Sequence, residues 1–288
     1  MDPEGGIGMR KVKELLLRGA MVLCTGLTCA ILLLIIGYIL YRGIPHLSWQ
    51  LVSTQPSYIN DSIGILPNLL NTLYIIAVAM ILVVPLGVGA AVYLNEYATS
   101  HRMVRLISFA VETLTGIPSI LFGLVGMLLF TELMGLKQGI LAGGLTLVMM
   151  VLPTIITNTR ESLAAVPQAY REGALALGSG KWHMIRTVVL PNAADGIVTG
   201  CILAVGRITG ESAALLFTAG FGARLLGLLD ALETSSATLT VALYMYAGEQ
   251  GKFDVAFAIA VILLALTLLI NAAATLVTKK KRGHLHDQ

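Results

Sequence analysis

An all-helical protein that spans a lipid bilayer is the fold class this sequence predicts, and three observations carry the prediction. Hydrophobic residues make up 56% of the 288 positions and charged residues only 12%, with a mean hydropathy of +0.84; a water-soluble domain could not cover so much apolar surface. The apolar runs reach the roughly 20 residues that cross a hydrocarbon core as a helix. Inside lipid a backbone must satisfy its own hydrogen bonds, so runs of this length mean helices, and the period-2 alternation of a barrel strand is absent.

Charge orients the chain. Arg10, Lys11, Lys13 and Arg18 precede the first run, Arg102 and Arg105 follow the second, Arg160, Arg171, Lys181 and Arg186 lie near the middle, and Lys279 to Arg282 follow the last. The other side carries Arg42, Lys137, Arg224 and Lys252. The positive-inside rule then places both termini in the cytoplasm and requires an even number of spans. Each basic stretch flanks a span, where anionic headgroups are its partner; no nucleic acid is needed. Cys24, Cys29 and Cys201 fall in apolar runs without metal-ligand spacing and read as small buried hydrophobes. The five histidines are scattered and predict no metal site.

In order, a basic tail (1–16) leads to a first span over Leu17–Tyr41. This run is too long for a signal peptide, whose apolar region is about 7–15 residues, and no small-residue cleavage site comes after it. Residues 44–65, with Trp49, Pro56, Tyr58 and Asp61, suit an outer interface. The second span, Leu66–Leu94, contains Pro85, Gly87 and Gly89, which predict a bend or a close helix contact. The third, Leu106–Met134, carries Gly116-Ile117-Pro118-Ser119 in its interior. A proline there frees a carbonyl, so this carbonyl and the Ser119 hydroxyl face either protein or a water-filled path, or the proline marks a simple packing kink. The fourth, Gln138–Thr157, begins with Gly139 and Gly143 in GxxxG spacing. The fifth, Ala193–Phe217, has two small-residue rows, Gly196/Gly200/Ala204 and Gly206/Gly210/Ala214, suited to a central helix with close neighbours on two sides. Residues 218–253 predict an amphipathic connection at the outer surface, and Val255–Val277 forms the sixth span before a tail at 279–288. Residues 17–278 read as one membrane domain.

Between the fourth and fifth spans, Glu161–Pro191 carries charge and helix breakers that lipid would not accept. Glu172, Gly173 and Ala174, then Gly178, then Val188, Leu190 and Pro191 predict a short solvated helix, a glycine break and an apolar run stopped by proline. Such a helix is a handle by which another protein could push on two spans together; the bland alternative is a loop. Gly178-Ser179-Gly180-Lys181 has the look of the end of a phosphate-binding loop, but Leu175 stands where the first glycine belongs and Trp182 where a serine or threonine belongs. The chain therefore predicts no nucleotide site and no catalytic residues of its own. Charges within the spans are the other anomaly: Arg207 and Glu211 in the fifth, Glu112 toward the inner part of the third. A central arginine costs about 2.5–3.5 kcal/mol on insertion scales. The spacing of four lets Arg207 pair with Glu211 on one helix face, either as a structural lock or beside a water-filled path.

The order of residues in the hinge resembles the EAA motif of bacterial ABC importer permeases. Glu172, Ala174, Gly178, Leu190 and Pro191 agree, while Gly173 replaces an alanine and Val188 an isoleucine. Gly206-Arg207, Gly210-Glu211-Ser212-Ala213 and Tyr93–Ala98 (YLNEYA) are similar to stretches of phosphate-importer (Pst) permeases, closest to the A subunit. From about residue 64 onward the chain resembles that family. The resemblance implies a type I importer permease fold in a bacterial inner membrane, with the hinge as a coupling helix docked into a separate ATPase. It further implies two copies of that ATPase (PstB-like), which bind the ATP and Mg this chain does not. A homologous second permease (PstC-like) and a periplasmic phosphate-binding protein (PstS-like) complete the implied set. Arg207, Glu211, Ser119 and Glu112 become candidates for the substrate pathway; Glu172, Gly173, Ala174, Gly178, Leu190 and Pro191 for the ATPase contact. Another oxyanion such as sulfate or molybdate, or an ion-gradient transporter using Glu112 or Glu211 as a proton site, are the alternatives.

Overall fold

The computed structural model describes the backbone of residues 4–57 and 63–286 and the side chains of 13–57 and 63–276. Tyr58, Asp61, the tail charges at Arg10, Lys11 and Lys279 to Arg282, and the imidazoles of His284 and His286 lie outside the described residues. The helices are α1 (Glu4–Gly43), α2 (Trp49–Ser53), α3 (Leu66–Val92), α4 (His101–Thr115), α5 (Ser119–Gly126), α6 (Ile140–Ala164), α7 (Gln168–Ala176), α8 (Lys181–Met184), α9 (Leu190–Thr209), α10 (Ala213–Thr218), α11 (Leu228–Leu232), α12 (Leu239–Tyr244) and α13 (Phe253–His286). π-helical turns extend α3, α5 and α12 and join α8 to α9.

Five of these segments are long and apolar enough to cross a membrane by length and composition: Lys13–His46, Leu66–Tyr97, Ile140–Ala164, Lys181–Thr209 and Phe253–Leu276. A sixth crossing exists only if α4 and the α5 segment count as one, and they meet at 103°. The expected third span is thus not a kinked rod. The residues of Gly116–Pro118 end one helix and start another, because the helix beyond the proline packs in a new direction: Gly123 lies against Ala214, where an added Cβ would sit 2.7 Å from a backbone Cα. α4 alone has an amphipathic sequence. Val104, Ile107 and Val111 pack on Leu94 and Ile156, while Leu106 and Phe109 are exposed.

The centre of the bundle is α6, most of whose apolar window is buried. Ile75, Ala79 and Val83 of α3, Leu147, Met150 and Val151 of α6, Ala204 and Ile208 of α9 and Leu215 of α10 form one continuous core. Small residues permit this closeness. Gly87 meets Ile155, Gly196 meets Ser162 and Gly200 meets Asn158, so the first small-residue row on the fifth span is an α6–α9 contact, as its spacing predicts. The second row does not form one seam: α9 ends before Gly210, nothing lies within 4 Å of a Cβ placed on Gly206, and Ala214 packs instead against Gly123 of α5. Gly139 also differs from the GxxxG expectation: it precedes α6, against the Leu232 carbonyl. α1 leans on the bundle only near its far end, where Tyr38 and Phe257 rings stack edge-on at 5.6 Å and Arg42 lies 3.9 Å from Asp254. Its leucines are otherwise exposed, as suits a lipid-facing helix.

The connection after the fifth span is a second correction. Part of it is buried rather than laid on the surface: Ser236, Ala237, Thr238 and Leu239 are enclosed. Asn68 and Asn71 both donate to the Ala237 carbonyl, at 3.0 and 3.1 Å, and Leu239 N–H donates to the Thr72 hydroxyl at 2.9 Å. Three polar residues on one face of an apolar helix satisfy an incoming loop whose backbone would otherwise be orphaned.

Candidate functional site

Two regions carry the unusual chemistry, one at the hinge end and one where the long helices break. At the hinge end α7 is the predicted short helix. It stops by a Schellman motif: Gly178 has φ +80°, Ser179 N–H bonds the Ala174 carbonyl at 3.1 Å and Gly178 N–H the Leu175 carbonyl at 3.0 Å. A left-handed residue at this position is what glycine supplies at no steric cost. The apolar run after it is not halted by Pro191. Ile185–Val189 runs as a π turn straight into α9, and Pro191 sits in the first turn of that helix, where a missing N–H costs little.

Of the six hinge candidates, Glu172, Gly173, Gly178 and Pro191 are exposed. Ala174 and Leu190 instead pack against a cluster formed by Ala91, Val92, Leu163, Val166, Met184, Ile185, Val189 and Ala193. Beside the exposed four lie Tyr170, Leu175, Trp182 and Leu177, the last 90% exposed. Large apolar side chains in a polar, hinge-end segment mark a surface made to be covered.

Sequence reasoning missed the one ion pair among the described residues whose two side chains are both largely buried. Arg171, read only as one of the orienting charges, is buried and pairs with Glu96 at 2.9 Å, their side chains 11% and 6% exposed. Its Nε lies 3.3 Å from the same carboxylate, Nη1 donates to the Val166 carbonyl and Nη2 to the Leu163 carbonyl, both at 2.7 Å. Asn95 Nδ2 donates to Glu96 at 2.8 Å. One guanidinium therefore joins the π turn after α3, two carbonyls at and just beyond the end of α6, and α7. The pair borders a cavity of about 510 Å³ shared with Gln168, Leu175, Lys181 and Met184. Removing one partner of such a buried pair costs about 3–5 kcal/mol, because the other charge is left uncompensated. Seventy-five residues separate the two in sequence, and no local pattern links them.

The second region lies at the breaks Gly116–Pro118 and Gly210–Ser212. α9 ends at Thr209, so the fifth span is not the continuous helix expected over Ala193–Phe217. Arg207 and Glu211 consequently do not share a helical face, and among the described residues neither belongs to an ion pair. Glu211 is buried. Its carboxylate accepts the Ala214 N–H at 3.0 Å, capping α10, and its carbonyl accepts the Thr240 hydroxyl at 2.7 Å. Arg207 is half-buried in the last turn of α9. Seven residues, close to two full turns, separate it from Gly200, so it shares the face that Asn158 of α6 touches. Below it, toward the hinge, that seam opens into a groove lined by Asn158, Ser162, Asn192 and Thr199. Ser119 is half-buried at the start of α5. Glu112 is exposed on α4 and borders a separate cavity of about 270 Å³ with Ser108, Arg160 and Glu161. The four pathway candidates are therefore not one cluster: Arg207, Glu211 and Ser119 belong to the breaks, Glu112 to the hinge end.

Membrane-spanning helices around a buried α6, a short helix displayed at the hinge end and polar residues along a helix seam define a transport permease. A family model described as "Binding-protein-dependent transport system inner membrane component" matches residues 83–283, and the chain belongs to this family. Relatives include the probable ABC transporter permease protein YqgI of Bacillus subtilis, 36% identical over 94% of this chain and 98% of its own. The phosphate transport system permease protein PstA 1 of Mycobacterium tuberculosis is 35% identical over 76% of this chain and 72% of its own. PstC 1 of that organism is 32% identical over 73% and 71%. Among solved structures, a chain of a bacterial alginate ABC transporter in complex with its alginate-bound periplasmic protein superposes with a TM-score of 0.67 at 15% identity, over 94% of this chain and 96% of that one. A chain of the inward-facing MetNI methionine ABC transporter gives 0.59 at 20%, over 75% and 94%. At such identities the likeness is one of fold: the protein has the type I ABC importer permease fold.

Proposed function

We propose that this chain is the A-type permease subunit of an ATP-driven importer of inorganic phosphate in a bacterial inner membrane. The observation that carries the substrate is Arg207, a half-buried guanidinium at a helix break above a polar seam, in a chain with relatives named as phosphate transport permeases. Its planar donors fit a tetrahedral oxyanion better than a lysine's point charge. A PstC-like chain would complete the pore, a periplasmic binding protein would deliver phosphate, and two ATPase subunits holding ATP and Mg would dock on α7. Residues 1–16 and 279–288 would be cytoplasmic tails flanking one domain. Proteoliposomes holding this chain, the second permease and the ATPase test the reading: external binding protein loaded with phosphate and internal ATP should give uptake without any ion gradient. Preferential uptake of sulfate or molybdate, or uptake driven by a proton gradient without ATP, would replace it.

The docking surface makes its own prediction. Leu177→Asp places a charge on the most exposed apolar side chain of the hinge and touches no core residue. It should lower co-purification of the ATPase about tenfold, the effect of losing an interface anchor worth about 1–2 kcal/mol, while membrane insertion is unchanged. Unaltered co-purification would remove Leu177 from the contact.

Topology is checked by thiol labelling after replacing Cys24, Cys29 and Cys201. Positions 49, 101, 183 and 224 all reach the surface of the chain, so its own fold does not shield them. An impermeant reagent should reach cysteines at 49 and 224 in intact cells and not at 101 or 183. Labelling at 183 from outside would overturn the orientation.

A further inference from the structure

We infer that the Glu96–Arg171 pair is the positioning link through which displacement of the short helix α7 reaches α3; the inference rests on the reading of α7 as the ATPase-docking element. α7 is tied by the chain itself to α6 and, through α8, to α9, but nothing covalent ties it to α3. Arg171 supplies that tie. Its guanidinium meets Glu96 in the π turn that ends α3 at 2.9 Å, and its other nitrogens hold the Leu163 and Val166 carbonyls at and just beyond the end of α6. A contact with one residue could slide, whereas a planar fork fixed on two carbonyls and a carboxylate sets both distance and angle. Asn95 holds the carboxylate from the other side. The surrounding apolar cluster packs Ala91 and Val92 of α3 against Leu163, Met184 and Ile185, so a push on α7 moves these ends as one body. α3 in turn packs along α6 in the core that carries the helix breaks. Chains of packed side chains and polar contacts with discrete arrangements carry coupling of this kind, and cutting one member weakens it.

The experiment compares reconstituted importers carrying the wild-type chain, Glu96→Gln, and the double variant Glu96→Cys/Arg171→Cys on a background without native cysteines. The double variant removes both charges and so leaves no uncompensated ion in the protein. Each is measured for ATPase co-purification, ATP hydrolysis and uptake of whichever oxyanion the wild type imports, so that failure of the phosphate reading shows in the wild type alone. The inference expects both variants to retain the ATPase and to hydrolyse ATP, with uptake per ATP about tenfold lower, within the range of typical coupling energies. Bridging the two cysteines with a short bis-methanethiosulfonate should restore uptake per ATP, and cleaving the bridge with reductant should abolish it again. Wild-type uptake per ATP in Glu96→Gln, loss of the ATPase or of the protein itself in both variants, or no recovery on bridging would each overturn the link.

Discussion

Arg207→Gln is expected to abolish most phosphate uptake while the variant still inserts, assembles and binds the ATPase. α9 rises about 1.5 Å per residue, which puts Arg207 roughly 20 Å from Ala193, in the last turn of the helix. An anion leaving water must exchange hydration for donors, and a charge-assisted hydrogen bond contributes about 1.5–3 kcal/mol, or about ten- to a hundredfold in binding. Glutamine keeps only two N–H donors against the guanidinium's five and loses the charge, so uptake should fall by at least about tenfold; Arg207→Lys should recover part of it. The structure sharpens the contrast with a purely structural arginine. Because Glu211 caps α10 through the Ala214 N–H instead of pairing with Arg207, removing the arginine leaves no buried carboxylate without its partner. Glu211→Gln, which exchanges a charged acceptor of the Ala214 N–H for a neutral one, should therefore cost stability rather than charge balance, by about 1 kcal/mol. Radiolabelled phosphate uptake alongside ATPase co-purification separates the two roles. Normal uptake by Arg207→Met would leave Arg207 as scaffold.

Gly123→Val is expected to disrupt the bundle strongly. The added Cβ would lie 2.7 Å from Ala214 Cα and 2.9 Å from its carbonyl oxygen, and backbone atoms cannot rotate away as a side-chain tip can. α5 and α10 would have to separate at the point where both broken helices restart. Overpacking of this kind costs about 1–3 kcal/mol or more, and a branched side chain raises it. Size-exclusion chromatography after heating in detergent should show a lower midpoint than wild type, while Gly173→Val, whose Cβ meets nothing within 4 Å, should leave the bundle's midpoint unchanged. Equal midpoints for the two variants would mean that the α5–α10 contact does not bear on stability.

Three features are legible in the order of residues alone: the chain is a set of helices in lipid, a solvated short helix interrupts it, and this helix ends at Gly178. Each of these is a local property. Run length decides whether a segment spans, charge decides where it cannot, and a left-handed turn after a helix selects glycine without reference to anything distant. The small-residue row Gly196, Gly200 and Ala204 belongs here too, because a 3.6-residue repeat places its members on one face whatever the partner is. How the helices break is set instead by packing in three dimensions. Gly116-Ile117-Pro118 permits a kink or a corner, and the corner arises because Gly123 and Ala214 pack in a new direction. A spacing of four predicts an Arg207–Glu211 pair only if the helix continues, and α9 stops between them. Asn68, Asn71 and Thr72 show that a polar face needs a partner, yet nothing in their own stretch says that the partner is the backbone at Ala237 and Leu239. Glu96 and Arg171 are the extreme case: each looks like an ordinary charge beside a span. Their burial against each other is a consequence of how α3, α6 and α7 meet, since the energy of an ion pair depends on distance in space and on exclusion of water, neither of which is a property of sequence position.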